Sequence, residues 1–403
     1  MKILFLVSSM RIPNPSWHLM KALMEDVLDS GIEIHALQYN PEGSTLPPFP
    51  DSIIRHPNFS FDEVSCKRVA KNQFAKRYIY SVLDAIKMKA KIKKYNDYDM
   101  VFMQSSITSF YTLCFARYHA KKRPIIFNSQ DMFPGSAIAN GSMPRKWMQV
   151  IFYAMQKFAY KRATVITAIS EDMKVKLMEQ GVPAEKIRVI VNWYDDQAVK
   201  EVPWEENRFV KQYDLSDNKF YVQYAGTMGT NFNPEIILDV AQKLKAYENI
   251  EFQMIGNGVR REKFERDAGL RGLENIKFYP LQPQDMVSDV YSACSVCLIP
   301  LKQGVIGNSV PSKAALLMAC RRVIINSVDV GCDYGEMFEK ERIGFSAGTE
   351  DADKIAGDIL KLYHSPELLN EYANRAKQFG AENYSRSVNT KKYLELFSDI
   401  LNH

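Results

Sequence analysis

The chain reads as an α/β protein built of two doubly wound domains, and three observations predict this. Short apolar runs rich in Ile and Val alternate with helical patterns almost to the end of the sequence. The runs are unbroken rather than alternating, as in parallel strands covered on both faces. A polar stretch, DDQAVKEVPWEENR, then divides the series in two near residue 196, which predicts two sheets rather than one.

The first series begins with KILFLVSS. This run could pass for a short secretion signal, but Arg11 interrupts it and IPNP follows where a small-residue cleavage site would stand, so it is read as the first strand. IEIHALQ, MVFMQS, PIIFNSQ, TVITAIS and IRVIVN continue the series. FYVQYAG, IEFQMIG, IKFYPL, VCLIPL, RVIINSV and IGFSAG form the second, with helical patterns at 233–247, 283–294 and 351–364 between them. The expected domains are 1–195 and 196–386, with a last helix at about 387–403 packing back on the first. No apolar run approaches the roughly 18 residues that span a bilayer.

Composition removes other classes. Of 403 residues 46% are hydrophobic and 25% charged, which is globular rather than disordered composition. Six cysteines without dense spacing argue against a secreted disulfide scaffold. Cys294 and Cys297 form a CxxC, but no second pair stands at a ligand spacing, so the pair is expected to be structural. The six histidines form no HxxxH pair. Asp97-Tyr98-Asp99 has the form of a metal- and nucleotide-sugar-binding DxD, yet it closes a basic helix just before a strand, where a solvated turn is expected. No metal site is therefore expected.

Charge is uneven: residues 1–200 carry 28 Lys+Arg against 18 Asp+Glu, and the rest 24 against 29. The basic stretches are KRYIYSVLDAIKMKAKIKK, Lys76 to Lys94, and RKWMQVIFYAMQKFAYKR, Arg145 to Arg162. Helices of this kind form solvated faces over a core or lie on anionic lipid; no nucleic-acid partner is expected.

Ligands of doubly wound sheets bind at the carboxyl ends of strands, so the strand-to-helix loops carry the chemistry. In the second half these are YAGTMGTNFN, IGNGVRRE and PLKQGVIGNSVPSK. Glycine lets backbone approach a ligand closely, and free N–H groups at a helix start attract an anion. Three such loops suit a nucleoside diphosphate. The GxGxxG fingerprint is missing, which disfavours a nicotinamide oxidoreductase. Ser309 to Ser312 are expected to cap an apolar helix whose first turn presents Lys313 to the loop.

The order of these pieces resembles the two-domain GT-B glycosyltransferases, and within them the large retaining family 4 (group 1), especially the branch that builds bacterial O-antigen and capsule sugars. The segments that carry the resemblance are SQDMFPGSAIANG, TAISEDMKVKLMEQGVPAEKIRVIVNWYD, YAGTMG, IGNGVRREKFE, NIKFYPLQPQDM, VPSKAALLMA and IGFSAGTEDADKIAGDIL. The resemblance implies two Rossmann-like domains facing a central cleft. It implies a nucleotide-sugar donor, a UDP-sugar or similar, on the second domain, a saccharide or polyprenyl-linked acceptor on the first, and no metal or other cofactor. It places the base and ribose over Gly256, Asn257, Gly258 and Arg260 and over Tyr279, Pro280 and Leu281. The phosphates fall over Gly226, Thr227, Gly229 and Thr230 and over Asn308, Ser309, Ser312 and Lys313. Lys313, Gln130 and Asp131 take the catalytic positions; Asn14, Ser16 and His18, after the first strand, are the candidate acceptor contacts.

The chain departs from that pattern where it matters. Asn308 and Leu316 fall in the slots of the family's two glutamates, Thr230 and Asn231 replace the Arg and Lys that grip the diphosphate, Gln130 stands where a histidine is common, and CysArgArgVal at 320–323 replaces Ala-Gly-x-Pro. Three readings stay open. The first is a sugar transferase for surface polysaccharide, cytoplasmic or peripheral at the inner face of the membrane; the second is a degenerate, non-catalytic relative that binds a nucleotide or a partner; the third is another nucleotide-binding or phosphorylase-like use of the fold.

Overall fold

A computed structural model describes residues 1–11, 17–69, 73–106, 108–139 and 141–402. Its contacts divide the chain into unit 1, Met1–Val191 with Gly307–Ser309 and Asn389–His403, and unit 2, Asn192–Ile306 with Val310–Val388.

Among the described residues unit 1 carries seven strands: β1 Lys2–Leu6, β2 Glu33–Pro41, β3 Phe59–Cys66, β4 Met100–Gln104, β5 Ile125–Asn128, β6 Val165–Ala168 and β7 Ile187–Val189. They form one sheet in the order β3-β2-β1-β4-β5-β6-β7, every pairing parallel. Strand β3, FSFDEVSC, is absent from the sequence expectation. It alternates apolar and polar residues and is mostly half-buried, as an edge strand is, so it lacks the unbroken apolar run that marks its neighbours. Unit 2 carries β8 Phe220–Ala225, β9 Ile250–Ile255, β10 Ile276–Tyr279, β11 Val296–Pro300, β12 Val323–Ser327 and β13 Gly344–Ala347. These order as β10-β9-β8-β11-β12-β13 and are again all parallel.

In each sheet the strand order reverses beside the first strand of the unit, β1 or β8. That is the switch point where loops part and ligands enter an open parallel sheet. The sheets hold because their strands are buried on both faces: β4, β5, β8, β9, β11 and β12 are buried at every residue.

The last helix, Arg386–Asn402, supplies unit 1 with Tyr393. Its hydroxyl accepts from Asn128 Nδ2 at 2.7 Å, and its ring stands edge-on to Phe102 at 5.9 Å. Cys294 and Cys297 are buried free thiols with their sulfurs 3.3 Å apart, and burial raises the Cys297 thiol well above its usual range. Asp97 and Asp99 hold the start of the chain: Asp99 accepts the Lys2 backbone N–H at 2.8 Å and Asp97 the Lys2 ammonium at 3.2 Å. Among the described residues no group of three or more His, Cys, Asp or Glu stands together as a metal site, and no helix is long and apolar enough to cross a membrane.

Candidate active site

The loops that leave β8, β9 and β10 are joined backbone to backbone. Gly226 N–H donates to Ile255 O at 2.9 Å, Gly256 N–H to Tyr279 O at 3.3 Å, and Met228 N–H to Asn257 O at 2.9 Å. Two glycines make this approach possible. Gly256 has φ +136, and a Cβ there would lie 2.0 Å from Gly226 O; Gly258 has φ +154, and a Cβ would lie 2.3 Å from Met228 O. Any other residue would push the loops apart. The surface they leave is small and backbone-rich, flanked by two exposed apolar side chains, Val259 at 84% and Leu281 at 67%.

Lys313 opens the helix Lys313–Ala319. Its ammonium donates to Ala225 O at 3.2 Å, lies 3.8 Å from the centre of the Tyr224 ring, and would stand 2.9 Å from a Cβ on Gly226. Desolvation lowers its pKa to about 7, although the residue is only half-buried by surface and so remains within reach of a ligand. No carboxylate among the described residues pairs with it. A cation in a poorly solvated place, next to a glycine loop and without an acidic partner, is poised for an anion. The expected cap is not formed: Ser312 has helical dihedrals and its side chain makes no capping bond. The helix is also only seven residues long, so the charge of Lys313 has to do what the helix start was expected to do.

Arg260 lies 3.9 Å from Glu235. Its neighbour Arg261 is taken up by Tyr279 O at 2.6 Å, by Gly256 O and by Glu265. Thr227 and Thr230 are exposed and Gly229 half-buried. Tyr279 packs its ring against Tyr213 at 4.8 Å, while Pro280 is exposed. Asn308 and Ser309 group with unit 1, where Asn308 O accepts Met132 N–H at 3.1 Å. Leu316 packs in an apolar cluster with Tyr194, Ala315 and Ala319. Arg321 and Arg322 bind Glu201 at 3.4 and 3.1 Å, which gives 320–323 a structural task.

In unit 1, Gln130 N–H donates to Ser105 Oγ at 2.9 Å and its amide to Asn128 Oδ1 at 3.1 Å. Asp131, exposed as a residue, lines a small pocket of about 30 Å³ walled by Tyr78, Phe110, Phe127, Phe133, Phe152 and Tyr160. The poorly solvated surroundings raise its carboxyl to about 6. Gln156 lines the same pocket, and its Oε1 is buried without a hydrogen-bond partner. His18 is half-buried on the helix Trp17–Asp29; Asn14 and Ser16 lie outside the described residues.

Two positioning groups escape the sequence reading. Asp329 accepts the N–H groups of Gly304 at 2.7 Å and Ile306 at 3.3 Å and so holds the loop before Lys313. Arg11 grips Glu63 with two bonds of 2.8 Å, which ties the loop after β1 to the edge strand. Each joins residues distant in sequence, and only the acidic residue after a strand, Asp329, left a local hint.

Two family models match the chain, Glycosyltransferase Family 4 over residues 28–198 and Glycosyl transferases group 1 over residues 205–379. The chain belongs to the group 1, family 4 glycosyltransferases. Curated relatives include the probable glycosyltransferase WbjE of Pseudomonas aeruginosa, 22% identical over 272 residues, and the putative colanic acid biosynthesis glycosyl transferase WcaI of Escherichia coli, 26% identical over 215. These matches cover 68% and 52% of this chain, and only 66% and 53% of the relatives' own lengths. Among solved structures, Anabaena HepE in complex with UDP aligns with a TM-score of 0.76 at 14% identity, covering 99% of this chain and 100% of that one. At that identity the likeness is one of fold, and the two parallel sheets are those of GT-B glycosyltransferases.

Proposed function

We propose that this glycosyltransferase moves a sugar, with retention of anomeric configuration, from a UDP-linked donor to a saccharide or lipid-linked acceptor in surface polysaccharide synthesis. The observation that carries the proposal is the Lys313 ammonium, desolvated and without a carboxylate, beside Ala225 O and Gly226. The donor diphosphate supplies the missing charge there. The exposed side chains of Val259 and Leu281 support the base beside Gly256 to Gly258, and Asp131 and Gln156, at the aromatic pocket, support an acceptor on unit 1.

In the reaction, the bond from the anomeric carbon to the diphosphate oxygen breaks and a bond to the acceptor oxygen forms on the same face. The acceptor proton passes to a diphosphate oxygen. Lys313 stabilises the charge gathering on the leaving group, and the loops hold the reactants in place. No metal or other cofactor takes part in this reading. The relatives' names and the UDP in HepE favour the same donor and the same kind of pathway. The protein would work at the inner face of the membrane, held peripherally by the basic helices of unit 1.

One observation favours the second reading, a nucleotide-binding relative without activity. Leu316 packs among apolar side chains where the family pattern has a ribose-binding glutamate. Calorimetric titration with UDP, GDP and ADP, followed by UDP-sugar turnover, tests both. Tight UDP binding with turnover supports transfer, UDP binding without turnover supports the second reading, and no nucleotide binding removes the donor site.

A further inference from the structure

Three helices of unit 1, Phe74–Ile92, Ser109–Ala120 and Lys146–Tyr160, send aromatic side chains to one place beside the loop that follows β5. Tyr78 comes from the first, Phe110 from the second, and Phe152 and Tyr160 from the third; Phe127 and Phe133 belong to β5 and its loop. Tyr78, Phe133 and Phe152 stand in mutual contact, with ring centres 6.4, 5.0 and 5.3 Å apart, and Phe127 meets Tyr160 at 5.7 Å. The pocket they wall has about 30 Å³, room for about two water-sized groups. It therefore takes a substituent rather than a whole sugar ring.

The polar atoms left open in this aromatic wall are acceptors. No Lys, Arg or His among the described residues pairs with the Asp131 carboxyl, and burial alone raises its pKa, to about 6, as for a carboxylate that has lost water and gained no partner. Lys157, on the third helix, turns instead to Gly181, where a Cβ would stand 3.2 Å from its Cε. Gln156 is only 9% exposed. Its Nε2 donates to the Tyr160 hydroxyl, which leaves Oε1 buried without a partner. The two serines of the lining are bonded to each other: Ser109 Oγ donates to Ser106 O and accepts Ser106 N–H, both at 2.7 Å.

A carboxylate and a bare amide oxygen set among π faces make a site for a positive group. A hydroxyl would satisfy one acceptor and leave the other. An acetamido group would set its own carbonyl oxygen against both, and a quaternary ammonium has no N–H to give either. A primary ammonium has three donors, neutralises the carboxylate, and is drawn to the negative faces of the rings.

We infer that the pocket beside Asp131 and Gln156 binds a primary ammonium group carried by the acceptor, so that the acceptor is an amino sugar with a free amine. The inference rests on the reading of unit 1 as the acceptor domain and narrows the substrate class from saccharides in general to cationic ones.

The test is ligand-observed NMR titration at pH 7 with glucosamine, N-acetylglucosamine, glucose and ethanolamine, on the wild-type protein and on Asp131→Asn. Glucosamine should bind at least about tenfold more tightly than glucose or N-acetylglucosamine, and Asp131→Asn should bring it down to the level of glucose. The substitution removes a charge that burial disfavours, so the variant should fold at least as stably, which unfolding in denaturant checks. A preference for glucosamine that survives in Asp131→Asn, or N-acetylglucosamine bound as tightly as glucosamine, would overturn the inference. Weaker binding of ethanolamine supports a sugar as the carrier; ethanolamine bound as tightly as glucosamine would overturn that assignment, because a small free amine would then be the occupant. UDP affinity is read on the same samples. UDP bound with no glucosamine bound counts against the ammonium pocket alone, and glucosamine bound with no UDP bound counts against the donor site alone.

Discussion

Replacing Lys313 with Met keeps an apolar stem beside Tyr224 and removes the charge. A charge-assisted contact of this kind is worth about 1.5–3 kcal/mol, so the dissociation constant for UDP should rise about 10- to 150-fold. The low pKa gives a second, independent number. With a folded value of about 7, Lys313 is about nine-tenths neutral at pH 8 in the free protein, and a bound diphosphate restores its proton, so UDP binding should take up about 0.9 of a proton. Calorimetry at pH 8 in buffers of different ionisation enthalpy measures both quantities. The variant should bind more weakly and take up almost none. The sign for stability follows from the same shift. Because the folded value lies below the usual 10.5, the fold carries a penalty that is complete below pH 7 and disappears as pH rises toward 10.5, so wild-type stability should climb through that window and the variant should lack the slope. Equal affinity and equal proton uptake in the two proteins would refute the placement of the diphosphate at Lys313.

Gly256→Ala places a Cβ 2.0 Å from Gly226 O and should abolish measurable UDP binding, while Gly269→Ala, on a helix with open space around it, should leave binding intact and stabilise by about 0.4–1 kcal/mol; equal effects on UDP binding would contradict the loop account. If the Asp131 carboxylate accepts a hydrogen bond from the acceptor, kcat/KM for acceptor should fall as pH drops through about 6, and Asp131→Asn should remove that limb from the profile. Tyr393→Phe takes one partner from buried Asn128 and should cost about 1–2 kcal/mol in denaturant unfolding of the cooperative unit that includes the last helix; an unchanged midpoint would show that the contact contributes nothing.

Much of the fold was legible because parallel strands buried on both faces print unbroken apolar runs. The runs that become β8, β9, β11 and β12 are buried at every residue, and each is visible in the sequence without a partner. Strand β3 was not legible, since an edge strand with one partner keeps polar residues at alternate positions and reads as a loop. The helix Pro366–Tyr384 has a start that is local in sequence, with Ser365 capping Leu368 N–H and Pro366 in the first turn.

The site was legible only in outline. Glycines at 226, 256 and 258 announced close backbone approach, and the structure gives each a positive φ. What they approach was not readable, because the contacts of Gly256 with Gly226 O and of Gly258 with Met228 O join separate βα units. The Ser312 cap failed for a local reason: its residue already has helical dihedrals, which turn the side chain away from the N–H groups a cap would serve.

Under the proposed function, this chain cleaves a UDP-sugar with Lys313 supporting the departing diphosphate. Water can stand in slowly for an unknown acceptor, so the most direct measurement is UDP release from a panel of UDP-sugars by the purified protein. Release above the uncatalysed rate is expected from at least one donor, at a rate at least tenfold lower in Lys313→Met. Tight UDP binding with no release from any donor, or release that Lys313→Met leaves unchanged, would contradict it.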